Sequence, residues 1–164
     1  LKGMVVMGGS LRAGGNITPA AEANFYHDPH AADYVLRHGC HITLVGLDVT
    51  NRVICPRSFF ADLASESPKM GGLLHVMADF YIDFYETVGK FSGCGMHDPS
   101  ALVACIAPEL FTTEPHVLCV TCAGDRSGEM IAKTSSNAEP VNVCTDVQAE
   151  AVKQNFFKIV AKLS

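Results

Sequence analysis

M-G-G-S-L-R-A-G-G-N-I-T-P-A-A-E-A-N-F-Y-H-D-P, residues 7–29, is a polar, glycine-rich segment that follows a short apolar run. Its two glycine pairs allow a tight turn and a close approach of the backbone to a ligand. Asn16, Glu22 and Asn24 supply amide and carboxylate groups, the kind of groups that bind the hydroxyls of a sugar. Asp28, followed by a proline, is typical of a helix N-cap. In an α/β protein, a polar loop between a strand and the next helix is where ligands bind.

The pattern around this segment alternates strands with helices. Residues 3–9 are predicted to form a buried strand, 28–38 a helix that ends at Gly39, and 41–47 a second buried strand. Strand, helix and strand in this order favour a right-handed crossover and parallel pairing. We therefore predict an α/β fold with an open, mostly parallel sheet flanked by helices.

The rest of the chain predicts more helices and then closely spaced strands. The strands near the C-terminus leave no room for helices between them, so we expect a few antiparallel, hairpin-like strands there. The predicted helices are 56–65, 70–88, 98–106 and 148–163, and the predicted strands are 117–122, 128–134 and 140–147.

Two of these helices carry apolar stripes at helical spacing. The stripe of helix 70–88 consists of Leu73, Met77, Phe80, Phe84 and Val88. In helix 148–163 the residues expected to point inward are Val152, Phe156, Ile159, Val160 and Leu163.

Composition limits the class of protein. The chain has 164 residues, which suits one domain, and 48% hydrophobic residues with mean hydropathy +0.20 are enough for a core. A formal charge of −5 argues against nucleic acid as a partner, because phosphate binding needs a basic surface. Seven scattered cysteines favour reduced thiols and an intracellular, cytoplasmic setting, and we expect no membrane partner because no apolar run spans a bilayer. The start at Leu1, almost directly before a strand, fits a truncated chain.

Four segments together resemble the inosine/uridine-type nucleoside hydrolases. They are G-G-N-I-T-P-A-A-E-A-N at 14–24, D-P-H-A-A at 28–32, V-G-L-D-V-T at 45–50 and M-H-D-P at 96–99, in that family's order. The resemblance covers nearly all of the chain but corresponds to the C-terminal half of such an enzyme, so we interpret 1–164 as a single partial domain. It implies hydrolysis of the N-glycosidic bond of purine or pyrimidine ribonucleosides to ribose and free base, a reaction of nucleoside salvage.

The resemblance implies that Met7, Asn16, Glu22 and Asn24 hold the ribose. From the residues alone, the asparagines are also ordinary turn residues that bond their own backbone. Ala23 departs from the family, which usually has Phe there, and its small side chain would loosen the wall of the sugar pocket.

His97 and Asp98 have two interpretations. From the residues alone, Asp98 caps a helix and His97 is incidental. The resemblance implies instead that Asp98 binds Ca²⁺ and that His97 protonates the departing base. General acid catalysis at the leaving base stabilises the oxocarbenium-like transition state of glycosidic cleavage. Imidazole titrates close enough to neutrality to supply that proton. The helix N-terminus would disfavour imidazolium while the Asp98 carboxylate would favour it, and the sequence leaves that balance open.

The metal site is incomplete in this sequence. Ca²⁺ takes about 6–8 oxygen ligands. The family supplies most of them, and the base that activates water, from a D-x-D-x-x-x-D-D motif near its N-terminus, which these 164 residues do not contain. The enzymatic interpretation therefore needs an N-terminal segment, covalent or separate. The alternative is a non-catalytic truncated paralogue or fragment that acts as a binding or interaction module. Either way, we expect an exposed apolar surface or a homo-oligomer.

Two further pairs have competing interpretations. Tyr81 and Tyr85 are four apart and share one edge of a helix, as core or boundary residues usually do. The resemblance places tyrosines of this helix near the base, where they stack on it or join a proton relay.

Cys119 and Cys122 form a C-x-x-C pattern inside a predicted strand, where residues three apart point to opposite faces, so we expect structural cysteines rather than a metal or redox pair.

Overall fold

The computed structural model describes residues 2–87, 92–134 and 139–163, which form seven strands and seven α-helices. The strands are β1 (Met4–Met7), β2 (Ile42–Val45), β3 (Ile54–Cys55), β4 (Cys94–Gly95), β5 (Phe111–Val120), β6 (Met130–Lys133) and β7 (Val141–Val147). The helices are α1 (Ala23–His27), α2 (Pro29–His38), α3 (Leu47–Thr50), α4 (Arg57–Glu66), α5 (Met70–Thr87), α6 (His97–Ile106) and α7 (Ala149–Ala161).

The main sheet has five strands in the order β1-β2-β7-β5-β6. β1, β2 and β7 are parallel neighbours, whereas β5 is antiparallel to both β7 and β6. The predicted α/β fold, with parallel strands first and antiparallel strands near the C-terminus, is confirmed. β7 was expected to pair only in a hairpin, but it lies between β2 and β5 and also pairs in parallel with β2.

The core lies on both faces of this sheet. Leu44 and Val143 belong to a cluster on the α2 side, while the next residues, Val45 and Cys144, belong to a cluster under α5, α6 and α7. All four are fully buried. Successive side chains of a strand point to opposite faces, so both faces of the sheet are covered at these positions.

The start of α2 is confirmed as predicted. The Asp28 carboxylate accepts a hydrogen bond from the backbone N–H of Ala31 at 2.9 Å, and Pro29 occupies the first helical position. Gly39 caps the other end, where its N–H donates to the Val35 carbonyl at 2.7 Å.

Several predicted boundaries were wrong. Strand 41–47 ends at Val45, because Gly46 caps α3 and Leu47 begins it. Asp98 is not the N-cap of α6; Met96 holds that position and the helix begins at His97, so Asp98 lies in the first turn. The strand predicted at 117–122 begins at Phe111 and ends at Val120, because pairing with β7 extends it through exposed residues that show no apolar pattern.

The stripe predicted on helix 70–88 is present but faces away from the core. Leu73, Met77, Phe80 and Phe84 are 55–80% exposed, and Val88 lies outside the described residues. The helix packs instead through Gly71, Ala78, Ile82 and Tyr85. An exposed apolar surface, which we expected, is therefore present on α5.

The C-terminal helix follows the prediction in part. Val152 and Val160 are buried and Phe156 and Ile159 are half-buried, whereas Leu163 follows the end of the helix and is exposed. Within the described residues, no helix has the length and apolar character needed to cross a bilayer.

Candidate active site

The polar segment after β1 begins with a glycine turn. Gly9 has φ +67°, a left-handed conformation that side chains strongly disfavour. A Cβ at this position would lie 2.9 Å from a ring carbon of Phe25 and 3.1 Å from the sulfur of Met130. Glycine is therefore required here for both conformation and space.

Glu22 anchors this segment. Its side chain is almost fully buried, at 2% exposure. Oε2 accepts hydrogen bonds from the N–H groups of Gly9 (2.9 Å) and Phe25 (3.2 Å), and Oε1 accepts one from the N–H of Asn24 (2.9 Å). A carboxylate offers about four acceptor positions, so Oε1 keeps capacity for one more donor. Glu22 is the N-cap of α1 and ties that helix to the end of β1.

The two asparagines lie on either side of Glu22. Asn16 Oδ1 accepts a hydrogen bond from the N–H of Ala23 at 2.9 Å, so the turn role expected from the residues alone is present. The Asn24 amide nitrogen lies 3.5 Å from the Met7 carbonyl oxygen and 3.3 Å from the Met7 sulfur. Both asparagines are exposed. The structure thus brings Met7, Asn16, Glu22 and Asn24 together at the end of β1.

Asp48 is a residue of this region that the sequence did not point to. Its carboxylate accepts three backbone N–H groups, from Leu11 (2.7 Å), Arg12 (2.7 Å) and Ala13 (3.0 Å). These bonds fasten the loop after β1 to the start of α3. The segment V-G-L-D-V-T was the available signal, but a contact over more than 30 positions needs the fold to reveal it.

A second group of side chains lies around His97. The Nδ1 atom of His97 is 2.8 Å from the Thr50 hydroxyl oxygen, and its Nε2 atom is 3.2 Å from the Tyr85 hydroxyl oxygen. The Tyr85 and Tyr81 hydroxyl oxygens are 3.3 Å apart. His97, Tyr85 and Tyr81 therefore form one continuous line of hydrogen-bonding groups.

This line runs from the interior to the surface. Tyr85 is 7% exposed and Tyr81 is 41% exposed. Burial, followed by the hydrogen bond to Tyr81, raises the pKa of Tyr85 well above its usual range. The phenol hence stays protonated and can both donate and accept a hydrogen bond at neutral pH.

The two groups belong to the same end of the sheet. β1 and β2 are parallel, and Met7 pairs with Val45 at their C-terminal ends. The loop of Glu22 follows β1, and α3 with Thr50 follows β2. This is the edge of an open α/β sheet where ligands bind. A cavity of about 360 Å³ also lies beside His97, and its lining includes Tyr81, Cys94, Met96 and Asp98.

The residues present do not fit a Ca²⁺ ion by themselves. Asp98 is exposed in the first turn of α6. In residues 2–87, 92–134 and 139–163, no group of three or more His, Cys, Asp or Glu side chains is arranged to hold a metal. One carboxylate falls far short of the six to eight oxygens that Ca²⁺ takes.

The C-x-x-C cysteines are both free thiols. Cys119 lies within β5, and Cys122 follows the strand, where its sulfur is 3.6 Å from the Pro29 carbonyl oxygen. This contact places Cys122 against the start of α2, in keeping with a structural residue.

Comparison with known proteins agrees with this architecture. A family model described as inosine-uridine preferring nucleoside hydrolase matches residues 1–154. Probable uridine nucleosidase 1 of Oryza sativa subsp. japonica is 36% identical over 131 residues, which are 80% of this chain and 40% of that protein. The non-specific ribonucleoside hydrolase RihC of Shigella boydii serotype 18 is 35% identical over an alignment of 168 residues, covering 100% of this chain and 53% of that protein.

Solved structures give the same result. The purine-preferring ribonucleoside hydrolase from Gardnerella vaginalis superposes with a TM-score of 0.88 at 33% identity, over 96% of this chain and 51% of that one. The plant nucleoside hydrolase PpNRh1 superposes with a TM-score of 0.89 at 29% identity, over 94% of this chain and 52% of that one. The chain spans about half the length of the curated relatives it matches. Since the family model covers all but the last ten residues, the chain belongs to the inosine-uridine preferring nucleoside hydrolase family.

Proposed function

We propose that this chain carries the ribose-holding loop and the leaving-group acid of a nucleoside N-ribohydrolase. The reaction splits the bond between C1′ of ribose and a nitrogen of a purine or pyrimidine base, and water adds to give free ribose. The observation that carries the proposal is the clustering of Met7, Asn16, Glu22 and Asn24 at the end of β1. The neighbouring strand β2 leads to α3, where the Thr50 hydroxyl oxygen lies 2.8 Å from Nδ1 of His97.

The loop offers the groups that a pentose needs. The amides of Asn16 and Asn24 are exposed, and each can both donate and accept. Glu22 keeps one acceptor position on Oε1, which suits a sugar hydroxyl as donor. Because Glu22 is fixed by three backbone N–H groups, its carboxylate is already oriented before a sugar arrives. Such preorganisation lowers the entropy cost of binding.

His97 acts on the base. As imidazolium it donates a proton to a nitrogen of the base while the glycosidic bond breaks, so the base leaves neutral and the positive charge develops on the sugar. Tyr85 and Tyr81 extend from His97 towards the surface and offer a route by which the ring is reprotonated.

The metal site and the activation of water need groups from outside this chain. Because the carboxylates within the described part of the chain do not fit Ca²⁺ alone, we propose that most ligands of the ion and the water-activating base come from polypeptide equivalent to the unmatched half of the relatives. Asp98 would contribute one oxygen ligand from the first turn of α6. A segment of that kind, covalent or separate, would complete the assembly.

The loop assignment is tested by binding. Ribose and inosine are added to the purified chain, and side-chain amide signals are followed by NMR. In the wild type we expect the signals of Asn16 and Asn24 to shift. The control variant Asn142→Ala, a matched change on β7, should show the same shifts. In Asn24→Ala we expect binding to weaken at least tenfold. An unperturbed loop at high ribose concentration, or equal weakening in both variants, would contradict the assignment.

A turnover assay tests whether this chain needs a second polypeptide for catalysis. The chain is incubated with Ca²⁺ and either inosine or uridine, and reducing sugar is measured. We expect no ribose from the chain alone, and ribose on addition of a polypeptide equivalent to the unmatched half of RihC. Turnover by the chain alone would overturn our assignment of the ion and the base. Ribose binding with no turnover in either mixture would favour the non-catalytic binding module.

A further inference from the structure

Thr50 is placed against the proposed acid by the fold. It ends α3, its side chain is fully buried at 0% exposure, and its hydroxyl oxygen lies 2.8 Å from Nδ1 of His97. The two residues are 47 positions apart in the sequence. In the sequence, β3 follows Thr50 and β4 precedes His97, and these two short strands pair with each other. The N–H of Met96, the residue before His97, also donates to the Val53 carbonyl at 2.9 Å. Backbone pairing thus holds the histidine and the threonine in register.

The buried hydroxyl limits how the hydrogen bond runs. A hydroxyl without contact with water needs an acceptor for its O–H, and leaving the donor unpaired is costly. Neutral imidazole has one nitrogen that donates and one that accepts. If Thr50 donates to Nδ1, the single proton of neutral His97 must reside on Nε2. That nitrogen is 3.2 Å from the Tyr85 hydroxyl oxygen, which has lone pairs to accept it.

We propose that Thr50 is a positioning residue: its hydroxyl donates to Nδ1 of His97, which holds the neutral ring as the Nε2–H tautomer and aims Nε2 towards Tyr85. This rests on the proposed function for its catalytic meaning, because the ring that must become imidazolium to protonate the base is then already held in one orientation, with Nε2 towards Tyr85. The tautomer itself is a property of the chain without substrate.

The test is a direct measurement of the tautomer. Proton–nitrogen correlation spectra are recorded on the full chain with nitrogen-15-labelled histidine, at about pH 8, where free imidazole is neutral because its pKa is near 6.5. The His97 signals are identified among the seven histidines by their loss in His97→Gln. We expect an unprotonated-type Nδ1 and a protonated-type Nε2 in the wild type. A protonated Nδ1 in the wild type would overturn the proposal without any variant.

Variants then separate the threonine from the tyrosine. Thr50→Val keeps the shape but removes the hydroxyl, and we expect the His97 nitrogen signals to move to a mixture of tautomers. Thr50→Ser restores the hydroxyl and should restore the Nε2–H tautomer, and Tyr85→Phe should retain it. If Tyr85→Phe shifts the tautomer and Thr50→Val does not, Thr50 has no such role.

The result is independent of the proposed function. No nucleoside is present, so a failure of ribose binding or turnover leaves the tautomer measurement unaffected. Conversely, a chain that binds ribose but shows Nδ1–H in His97 refutes only the role of Thr50. Backbone amide spectra of each variant show whether the fold is retained.

Discussion

Oε2 of Glu22 accepts a hydrogen bond from the backbone N–H of Gly9 at 2.9 Å, which joins the end of β1 to the start of α1. The residues between them form the polar loop, so this bond closes the loop at its base. Because Glu22 is buried and Gly9 is left-handed, neither partner is readily replaced. Through Glu22, the loop is therefore bound both to the end of β1 and to the first turn of α1.

The Glu22 anchor predicts a large stability loss on truncation. Glu22→Ala removes the two carboxylate oxygens that accept three hydrogen bonds and leaves buried N–H groups unpaired, so we expect the free energy of unfolding to fall by about 2–4 kcal/mol. Asp28→Ala, which removes the exposed cap of the neighbouring α2, should cost only about 1 kcal/mol. Urea unfolding followed by circular dichroism measures both. Equal losses would show that Glu22 is merely a helix cap.

Gly9 predicts a conformational and steric penalty. Gly9→Ala forces a side chain into φ +67° and against the ring of Phe25, so we expect a loss of about 2–4 kcal/mol. Gly124 has φ +77° with open space around it, so Gly124→Ala should cost only about 1–2 kcal/mol. Unfolding midpoints in urea separate the two, and a Gly9 variant as stable as the Gly124 variant would contradict the predicted contact.

Substitutions at a buried and an exposed residue of α5 should differ strongly in their effect on stability. Ile82 is buried, so Ile82→Ala should lower the free energy of unfolding by about 2–5 kcal/mol. Phe80 is 80% exposed, so Phe80→Ser should change it by less than about 0.5 kcal/mol. The serine variant should also bind less hydrophobic dye and form fewer oligomers on size-exclusion chromatography. A wild-type chain that is a monodisperse monomer and binds no dye would contradict an accessible apolar face.

The buried thiols predict a loss of stability at alkaline pH. Burial raises the pKa of Cys55 to about 12 and that of Cys144 to about 11, from an ordinary value of 9.0. The folded state holds these protons more tightly, so their stabilisation is complete below pH 9 and is lost as the pH rises towards 11–12. Tyr85, whose pKa is also raised, adds a loss of the same sign at higher pH.

Urea unfolding at pH 8, 9 and 10 measures this dependence. Cys144→Ala should show a shallower fall than the wild type between pH 9 and 10, while Cys105→Ala, which alters an exposed thiol, should match the wild type. A wild-type stability that is flat over this range would show that the thiols are not buried as described.

Strong local signals explain what the sequence predicted correctly. Asp28 followed by Pro29, with Gly39 at the other end, fixed both ends of α2. Apolar runs on both faces indicated that β1 and β2 belong to a sheet covered by helices; β2 lies inside the described sheet, whereas β1 lies at its edge. By contrast, α1 has five residues and β3 and β4 have two each, too few to produce a periodic pattern.

The tertiary contacts had no local signal. Helix α5 was recognisable as a helix, but its most apolar residues face outward, so periodicity alone indicated the wrong face. The polar cluster of Asn16, Glu22 and Asn24 was predictable from its composition. Asp48 and Thr50 were not, because their partners lie more than 30 residues away and meet them only through the fold.

The place of β7 between β2 and β5 determines when the sheet can be completed. Thr43 and Leu44 of β2 pair with Asn142 and Val143 of β7, so the partners are 99 positions apart in the chain. A ribosome releases β2 long before β7, and until then the inner edge of β2 stays open. Pairings this distant in sequence form slowly and expose aggregation-prone edges. Nascent chains that end before residue 141 should accordingly need chaperone protection, and the sheet closes only after translation has passed residue 147.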